Sequence, residues 1–257
     1  MARVFITGSS DGLGLLAARL LIEQGHSVIA HARSEQRSEQ TRTALPGADQ
    51  VVIGDLSSIE QTRGLAGQVN ALGGVDAVIY NAGVGPYERR RVETADGLSH
   101  VFEIDVLAPY ILTALIARPR RMVYLTSGMH RGGDPALDDP QWEHRAWRGS
   151  QAYSDAKLFD LTLALAVARR WPDVRSNAVS PGWVPTKMGG AGAPDDLVQG
   201  VLTQAWLAVS DEPAALVSGG YFFHKQPQQP HPAARSPEVQ DALTDYCGRL
   251  SGIALPA

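Results

Sequence analysis

Thr7-Gly8-Ser9-Ser10-Asp11-Gly12-Leu13-Gly14 directly follows the apolar run Val4-Phe5-Ile6. It opens a stretch over residues 13–24 in which Leu13, Leu16, Ala17, Leu20 and Leu21 share one helical face. A glycine-rich turn between a strand and a helix is where a dinucleotide site belongs. Glycines let the backbone turn tightly and approach a pyrophosphate, and the helix start offers free N–H groups and a positive dipole end. Gly14 would also let the helix pack closely on the sheet. A glycine triplet by itself also fits an ordinary strand-to-helix turn; the strand before it and the helix after it favour the cofactor reading.

The same alternation continues outward from this turn. Further apolar, β-rich runs fall at 26–32, 51–53, 75–80, 122–126, 174–179 and 216–222, and helical patterns at 57–72, 97–118, 150–170, 195–209 and 237–250. Short, near-continuous apolar strands between amphipathic helices predict an α/β fold. It is a single Rossmann-type, doubly wound, mainly parallel seven-stranded sheet with helices on both faces and right-handed crossovers. Residues 189–194 are too glycine-rich to hold one shape. Residues 225–237, rich in Pro and Gln, read as irregular.

Composition narrows the function. The 257 residues are 44% hydrophobic and 19% charged, with a net charge of -4. That length allows one domain or two, but no break in composition divides it, so 1–257 reads as one dinucleotide-binding and catalytic domain. The mild acidity argues against a general nucleic-acid binder, which needs a basic face. Cys247 is the only cysteine, so no internal disulfide forms, which fits a reducing compartment. The N-terminal apolar stretch is too short for a signal peptide. The longest apolar run, 108–117, is interrupted by Pro109 and Thr113 and is too short to span a bilayer. These features predict a cytoplasmic enzyme with no membrane span. No histidine pair has metal-ligand spacing, so no metal is expected.

The T-G-x-x-x-G-x-G spacing of the turn resembles the short-chain dehydrogenase/reductase family. Further matches follow in order: Asp55-Leu56 after the third strand, Asn81-Ala82-Gly83 after the fourth, Ser127 after the fifth, Tyr153-Ser154-Asp155-Ala156-Lys157 as Y-x-x-x-K, then Pro181-Gly182 and Thr186 after the sixth. The resemblance runs from about residue 4 to 188. It implies a nicotinamide cofactor held by Gly8, Ser10, Gly12, Leu13, Gly14, Asp55, Leu56, Asn81, Ala82, Gly83, Pro181, Gly182 and Thr186, together with Tyr153 and Lys157.

Hydride transfer between a nicotinamide and a carbonyl or alcohol needs a proton donor or acceptor at the substrate oxygen. Tyr153 and Lys157 are four apart, hence on one helical face. An ammonium beside a phenol favours phenolate, and this predicts a tyrosine pKa below the reference of about 10. The resemblance assigns Tyr153 as acid/base, Ser127 as the group orienting the substrate, and Lys157 as both the perturbing charge and a donor to the nicotinamide ribose. A fourth family position, usually Asn, aligns with Asp105. There the main-chain carbonyl is thought to hold a water leading to the lysine. Pro109 has no N–H for the Asp105 carbonyl, which predicts a kink and a preserved water relay.

Cofactor selectivity turns on the end of the second strand, Ile29-Ala30-His31-Ala32-Arg33. The usual acidic position is Ala32, and Arg33 can pair with a 2′-phosphate, so NADP(H) is favoured over NAD(H). Asp11 argues the other way, because NADP-using relatives often carry a basic residue in the turn. The insertion at about 128–149 resembles the branch holding retinol dehydrogenases, protochlorophyllide reductases and polyketide ketoreductases. Trp142 and Trp147 within it either line a substrate wall or pack at the surface. Residues 187–196 are expected to form a mobile lid, and 224–257 a C-terminal tail.

The expected activity is reduction of an apolar or medium-sized carbonyl, or oxidation of the matching secondary alcohol. Two alternatives are a non-catalytic nucleotide-binding sensor and a nucleotide-sugar epimerase or dehydratase. The sensor typically loses Tyr or Lys; the epimerase class tends to carry T-G-x-x-G-x-x-G and a longer substrate domain. Relatives commonly form a homodimer through the helices holding Asp105 and Tyr153. Leu158, Leu161, Ala164 and Leu165 could supply an apolar outer face, although the core claims some of them.

Overall fold

The computed structural model describes residues 1–256, so the last residue of the expected tail, Ala257, lies outside the described residues. Eight strands form one sheet: β1 (Arg3–Ile6), β2 (Ser27–Ala32), β3 (Gln50–Ile53), β4 (Ala77–Tyr80), β5 (Arg121–Leu125), β6 (Arg175–Ser180), β7 (Tyr221–Phe223) and β8 (Gln226–Gln228). Their order is β3-β2-β1-β4-β5-β6-β7-β8. The first seven are parallel and β8 runs antiparallel to β7. The order reverses between β1 and β4, and the crevice beyond their C-terminal ends is the ligand-binding position of such sheets.

The sheet has one strand more than the apolar runs predict. Gln226-Pro227-Gln228 shows no apolar alternation, yet it pairs residue for residue with Phe223, Phe222 and Tyr221. Its proline is tolerated because β8 is an edge strand, where a missing donor leaves no ladder bond broken.

Helices α1 (Gly12–Glu23), α2 (Glu35–Ala44) and α3 (Ile59–Ala71) follow β1, β2 and β3. The periodicity gives no sign of α2, because Glu-Gln-Arg-Ser-Glu-Gln-Thr-Arg-Thr-Ala has no apolar stripe; only Ser38 and Thr41 of it are buried. Its cap explains it: the Ser34 hydroxyl accepts from the Arg37 N–H. The next helix, α4, has three parts: one α turn (His100–Phe102), a π segment (Glu103–Leu107) and a second α segment (Ala108–Leu115). The long helices α5 (Gly149–Arg170), α6 (Leu197–Val209) and α7 (Pro237–Ser251) complete the layers. Two apolar clusters, one on each sheet face, form the core.

α5 is buried from Ala152 to Val167. α7 packs along it, and the tail ties down the same side: Tyr110 donates to the Ile253 carbonyl (2.8 Å) and the Trp171 indole to the Pro256 carbonyl (3.0 Å). Leu158, Leu161, Ala164 and Leu165 are all in the core. None of these four side chains is exposed on the surface of this chain.

Candidate active site

The glycine turn sits at the mouth of the crevice. Gly8 has φ +64°, and a Cβ there would stand 2.9 Å from the Ala82 Cα, so a side chain would close the turn against the β4 loop. Asn81 clamps the two loops: its amide donates to the Thr7 and Gly8 carbonyls (3.0 and 3.3 Å), and the Thr7 hydroxyl accepts from the Asn81 and Ala82 N–H groups. The Asn81 Oδ1 is buried without a partner.

His31 supports the turn from below, a role the sequence reading missed. It is fully buried; its Nδ1 accepts from the Gly8 N–H (2.9 Å) and its Nε2 lies 2.7 Å from the Gly54 carbonyl. These partners assign the Nε2–H tautomer, and burial lowers the pKa, keeping the ring neutral. The only sequence signal was a histidine inside an apolar strand.

Two further cations gather at the turn. Arg37 of α2 reaches the Ser10 carbonyl and hydroxyl (3.4 and 3.5 Å) and lies 3.7 Å from Asp11 Oδ2. Lys187 also pairs with Asp11, which lowers the Asp11 pKa. Asp11 is thus neutralised locally. Arg33 is exposed beside them. Below the turn, Asp55 accepts from the Ser57 N–H and hydroxyl (3.0 and 2.7 Å), and Leu56 is buried.

Tyr153 and Lys157 lie on α5 and Ser127 follows β5. The Thr126 hydroxyl donates to the Lys157 carbonyl at 2.7 Å, which docks the helix on the strand end. The Ser127 hydroxyl interacts with the Tyr153 phenol and accepts from the Met129 N–H (3.2 Å). The fully buried His130 fixes this corner: its Nδ1 donates to the Ser127 carbonyl (2.6 Å) and its Nε2 accepts from the His231 N–H (3.2 Å).

The lysine's surroundings differ from expectation. Its Nζ donates to the Leu125 carbonyl (2.9 Å) and lies 3.1 Å from Asp105 Oδ2. Asp105 Oδ1 accepts from the Val84 N–H at 2.8 Å. The Asp105 carboxylate stands against the ammonium. The helix departs from α geometry through a π segment closed by the Ala108 N–H on the Glu103 carbonyl. Pro109 lies in the first turn of the α segment that follows, where a missing N–H costs little.

The charge balance also corrects the expected tyrosine. Burial raises the Tyr153 pKa above its ordinary value; Lys157 opposes this and Asp105 reinforces it. Burial works against the Lys157 charge, but Asp105, the largest opposing cause, holds the ammonium protonated.

Asp160 sits at the third position of the face set by Tyr153 and Lys157. It is fully buried, Oδ1 has no hydrogen-bond partner, and burial raises its pKa to about 8. It is therefore neutral at pH 7. With a folded pKa above the unfolded value of about 3.9, its stabilising contribution is complete below about pH 4 and is lost as pH rises through 8. Asp160→Asn is expected to flatten the fall of Tm across that window, as thermal melts at several pH values would show. An unchanged slope would contradict a buried, neutral Asp160.

These groups open onto a cavity of about 750 Å³ with mainly apolar walls. Ser127 and Tyr153 line it together with Met129, Trp183, Met188 and Phe223. Leu13, Pro181, Gly182 and Thr186 line it too. The 181–196 loop crosses the entrance, held by the Trp183 indole on the Gly189 carbonyl (2.8 Å) and by Lys187 on Asp11. Trp142 and Trp147 are absent from these walls. They pack edge-to-face, and the Trp147 indole donates to the Glu88 carbonyl. Among the described residues no cluster of three ligating side chains could hold a metal. No helix is long and apolar enough to cross a membrane.

The family model described as short chain dehydrogenase matches residues 2–196. The chain belongs to that family. An uncharacterised oxidoreductase of Emericella nidulans is 43% identical to it, over 100% of this chain and 99% of that protein. The short-chain dehydrogenase chry4 of Gibberella zeae is 40% identical over the full length of both. Among solved structures, an uncharacterised protein of Mycobacterium paratuberculosis superposes with a TM-score of 0.86 at 26% identity, covering 100% of this chain and 96% of that one. This short-chain dehydrogenase is thus an oxidoreductase with a Rossmann-like sheet, and its family uses a nicotinamide cofactor.

Proposed function

We propose that the chain is an NADP(H)-dependent carbonyl reductase acting on an apolar or medium-sized ketone or aldehyde, or on the matching secondary alcohol in reverse. The observation that carries this is that Ser127 and Tyr153 line an apolar cavity beside the glycine turn, with Lys157 Nζ 5.7 Å from the Tyr153 ring centre. The turn fits a dinucleotide: the Gly8 backbone approaches the β4 loop as only glycine can, the α1 start presents N–H groups, and the buried Asn81 Oδ1 lacks a partner. Lys157 Nζ makes one hydrogen bond, to the Leu125 carbonyl, beside its ion pair with Asp105, and the ammonium's remaining donors can serve a ribose hydroxyl.

The nicotinamide, when bound, supplies or takes the hydride. Ser127 donates a hydrogen bond to the substrate oxygen and fixes its place. The Tyr153 O–H bond breaks, and its proton goes to that oxygen as the carbonyl carbon is reduced. The apolar walls and the 181–196 loop exclude water while this occurs. A sensor or epimerase gains no support from this arrangement, because the proton-transfer set is complete and no separate substrate domain is present.

Preference for NADP(H) is supported by Arg33, just after β2, and Arg37 in α2, with Asp11 neutralised by Lys187. Arg37→Ala is expected to raise KM for NADPH about 10- to 100-fold, the loss of one or more charge-assisted hydrogen bonds. KM for NADH should barely move. Steady-state kinetics with both reduced cofactors and a panel of carbonyl substrates test both parts. Better turnover with NADH in the parent chain would overturn the cofactor preference, and no turnover on any carbonyl would overturn the function.

A further inference from the structure

Asp105 puts a buried carboxylate where the family resemblance expects a neutral amide. Its Oδ2 lies 3.1 Å from Lys157 Nζ, with side-chain exposures of 6% for the lysine and 0% for the aspartate. The Val84 N–H fixes its other oxygen, and the π segment over Glu103–Leu107 carries it on the inner side of α4. Gly83 leaves the room: a Cβ there would stand 3.2 Å from both Asp105 Oδ2 and Lys157 Nζ. Three features of the fold therefore converge on one ion pair.

The pair changes what the lysine can do. Lys157 Nζ is 5.7 Å from the Tyr153 ring centre. A lone ammonium at that distance, in a buried site, favours the phenolate strongly. A carboxylate in contact with the ammonium turns the charge into a dipole, whose field at the phenol is much weaker. We propose that Asp105 is a positioning residue which, through Lys157, holds the Tyr153 phenol protonated and so sets the pH window in which the site can donate a proton.

The groups facing Tyr153 are few. α5 itself supplies Lys157 and Asp160, α4 supplies Asp105, and the end of β5 supplies Ser127. Burial pushes the Asp105 pKa up, and Lys157, the Val84 N–H and His100 oppose it. Asp105 is the carboxylate in contact with the ammonium, at 3.1 Å, while burial raises the Asp160 pKa to about 8. The inference deepens the proposed reductase and rests on Tyr153 as its proton donor.

Asp105→Asn tests it on the full chain. The amide keeps an oxygen for the Val84 N–H and nearly the same volume but removes the charge. Carbonyl reduction by NADPH is followed against pH for the parent and the variant, with circular dichroism confirming the fold. The alkaline limb of kcat is expected to move down by about one pH unit or more, a tenfold change in the tyrosine equilibrium. Ultraviolet titration of tyrosinate, with Tyr153→Phe subtracted to isolate the one phenol, should show the same displacement without any turnover. Asp105→Ser removes the charge with a smaller side chain and should shift the limb likewise. A folded Asp105→Asn whose limb and tyrosinate titration both stay in place, even with reduced kcat, would overturn the inference. Parent-like turnover in Tyr153→Phe would instead overturn the function on which it rests.

Discussion

Tyr153→Phe is expected to lower kcat about 10²- to 10⁴-fold, the range that a positioned general acid contributes, while NADPH binding persists. The two effects separate because the proposed mechanism puts the phenol oxygen at the substrate and assigns the phosphates to the glycine turn, the α1 start and Arg37. Ser127 remains to orient the substrate, and Lys157 keeps its bonds to Leu125 and Asp105. The substitution removes one oxygen from a side chain that is 8% exposed, so melting should change little. Cofactor titration by fluorescence and steady-state reduction on the same preparation make the comparison. Turnover at the parent rate would remove Tyr153 from the chemistry; loss of NADPH binding would instead mean that the phenol is chiefly part of the cofactor site.

How far the sequence led depends on which physical signal each feature leaves. The parallel strands are buried on both faces and leave unbroken apolar runs, so β1 to β6 are legible almost to the residue. The glycine turn is legible because its geometry demands glycine. α2 and β8 are not, since one is a polar helix held by its cap and the other a polar edge strand held by β7. Tyr153, Lys157 and Ser127 are legible through spacing and position at strand ends. Arg37, Lys187 and His31 are not, because each acts through a tertiary contact with no local pattern: Lys187 meets Asp11 across 176 residues. Asp105 marks the boundary. Its position can be aligned, but the contact between its side chain and Lys157 depends on a π segment that no periodicity announces.

Lys157→Met should be the most damaging single change, acting on stability and catalysis together. Methionine fills similar space but leaves Asp105 ionised, buried and supported only by the Val84 N–H. Removing one partner of a buried ion pair costs about 3–5 kcal/mol, a large share of the 5–15 kcal/mol typical of a whole domain. The sign of the pH dependence follows from the carboxyls. Burial already holds the Asp105 and Asp160 pKa values above their unfolded reference of about 3.9 with the ammonium in place, and removing it raises them further. The folded variant then binds more protons than the unfolded chain, so its stability is best preserved at low pH and lost as pH rises through the folded values. The Tm deficit relative to the parent should accordingly be larger near pH 8 than near pH 5. Adding Asp105→Asn to Lys157→Met removes the stranded charge and should recover much of the Tm but none of the turnover. Equal deficits at both pH values, or no recovery in the double variant, would mean that Lys157 is held by packing rather than by its carboxylate. Recovery of Tm without activity would show that the stability loss comes from the stranded Asp105 charge and that the ammonium is separately required beside Tyr153.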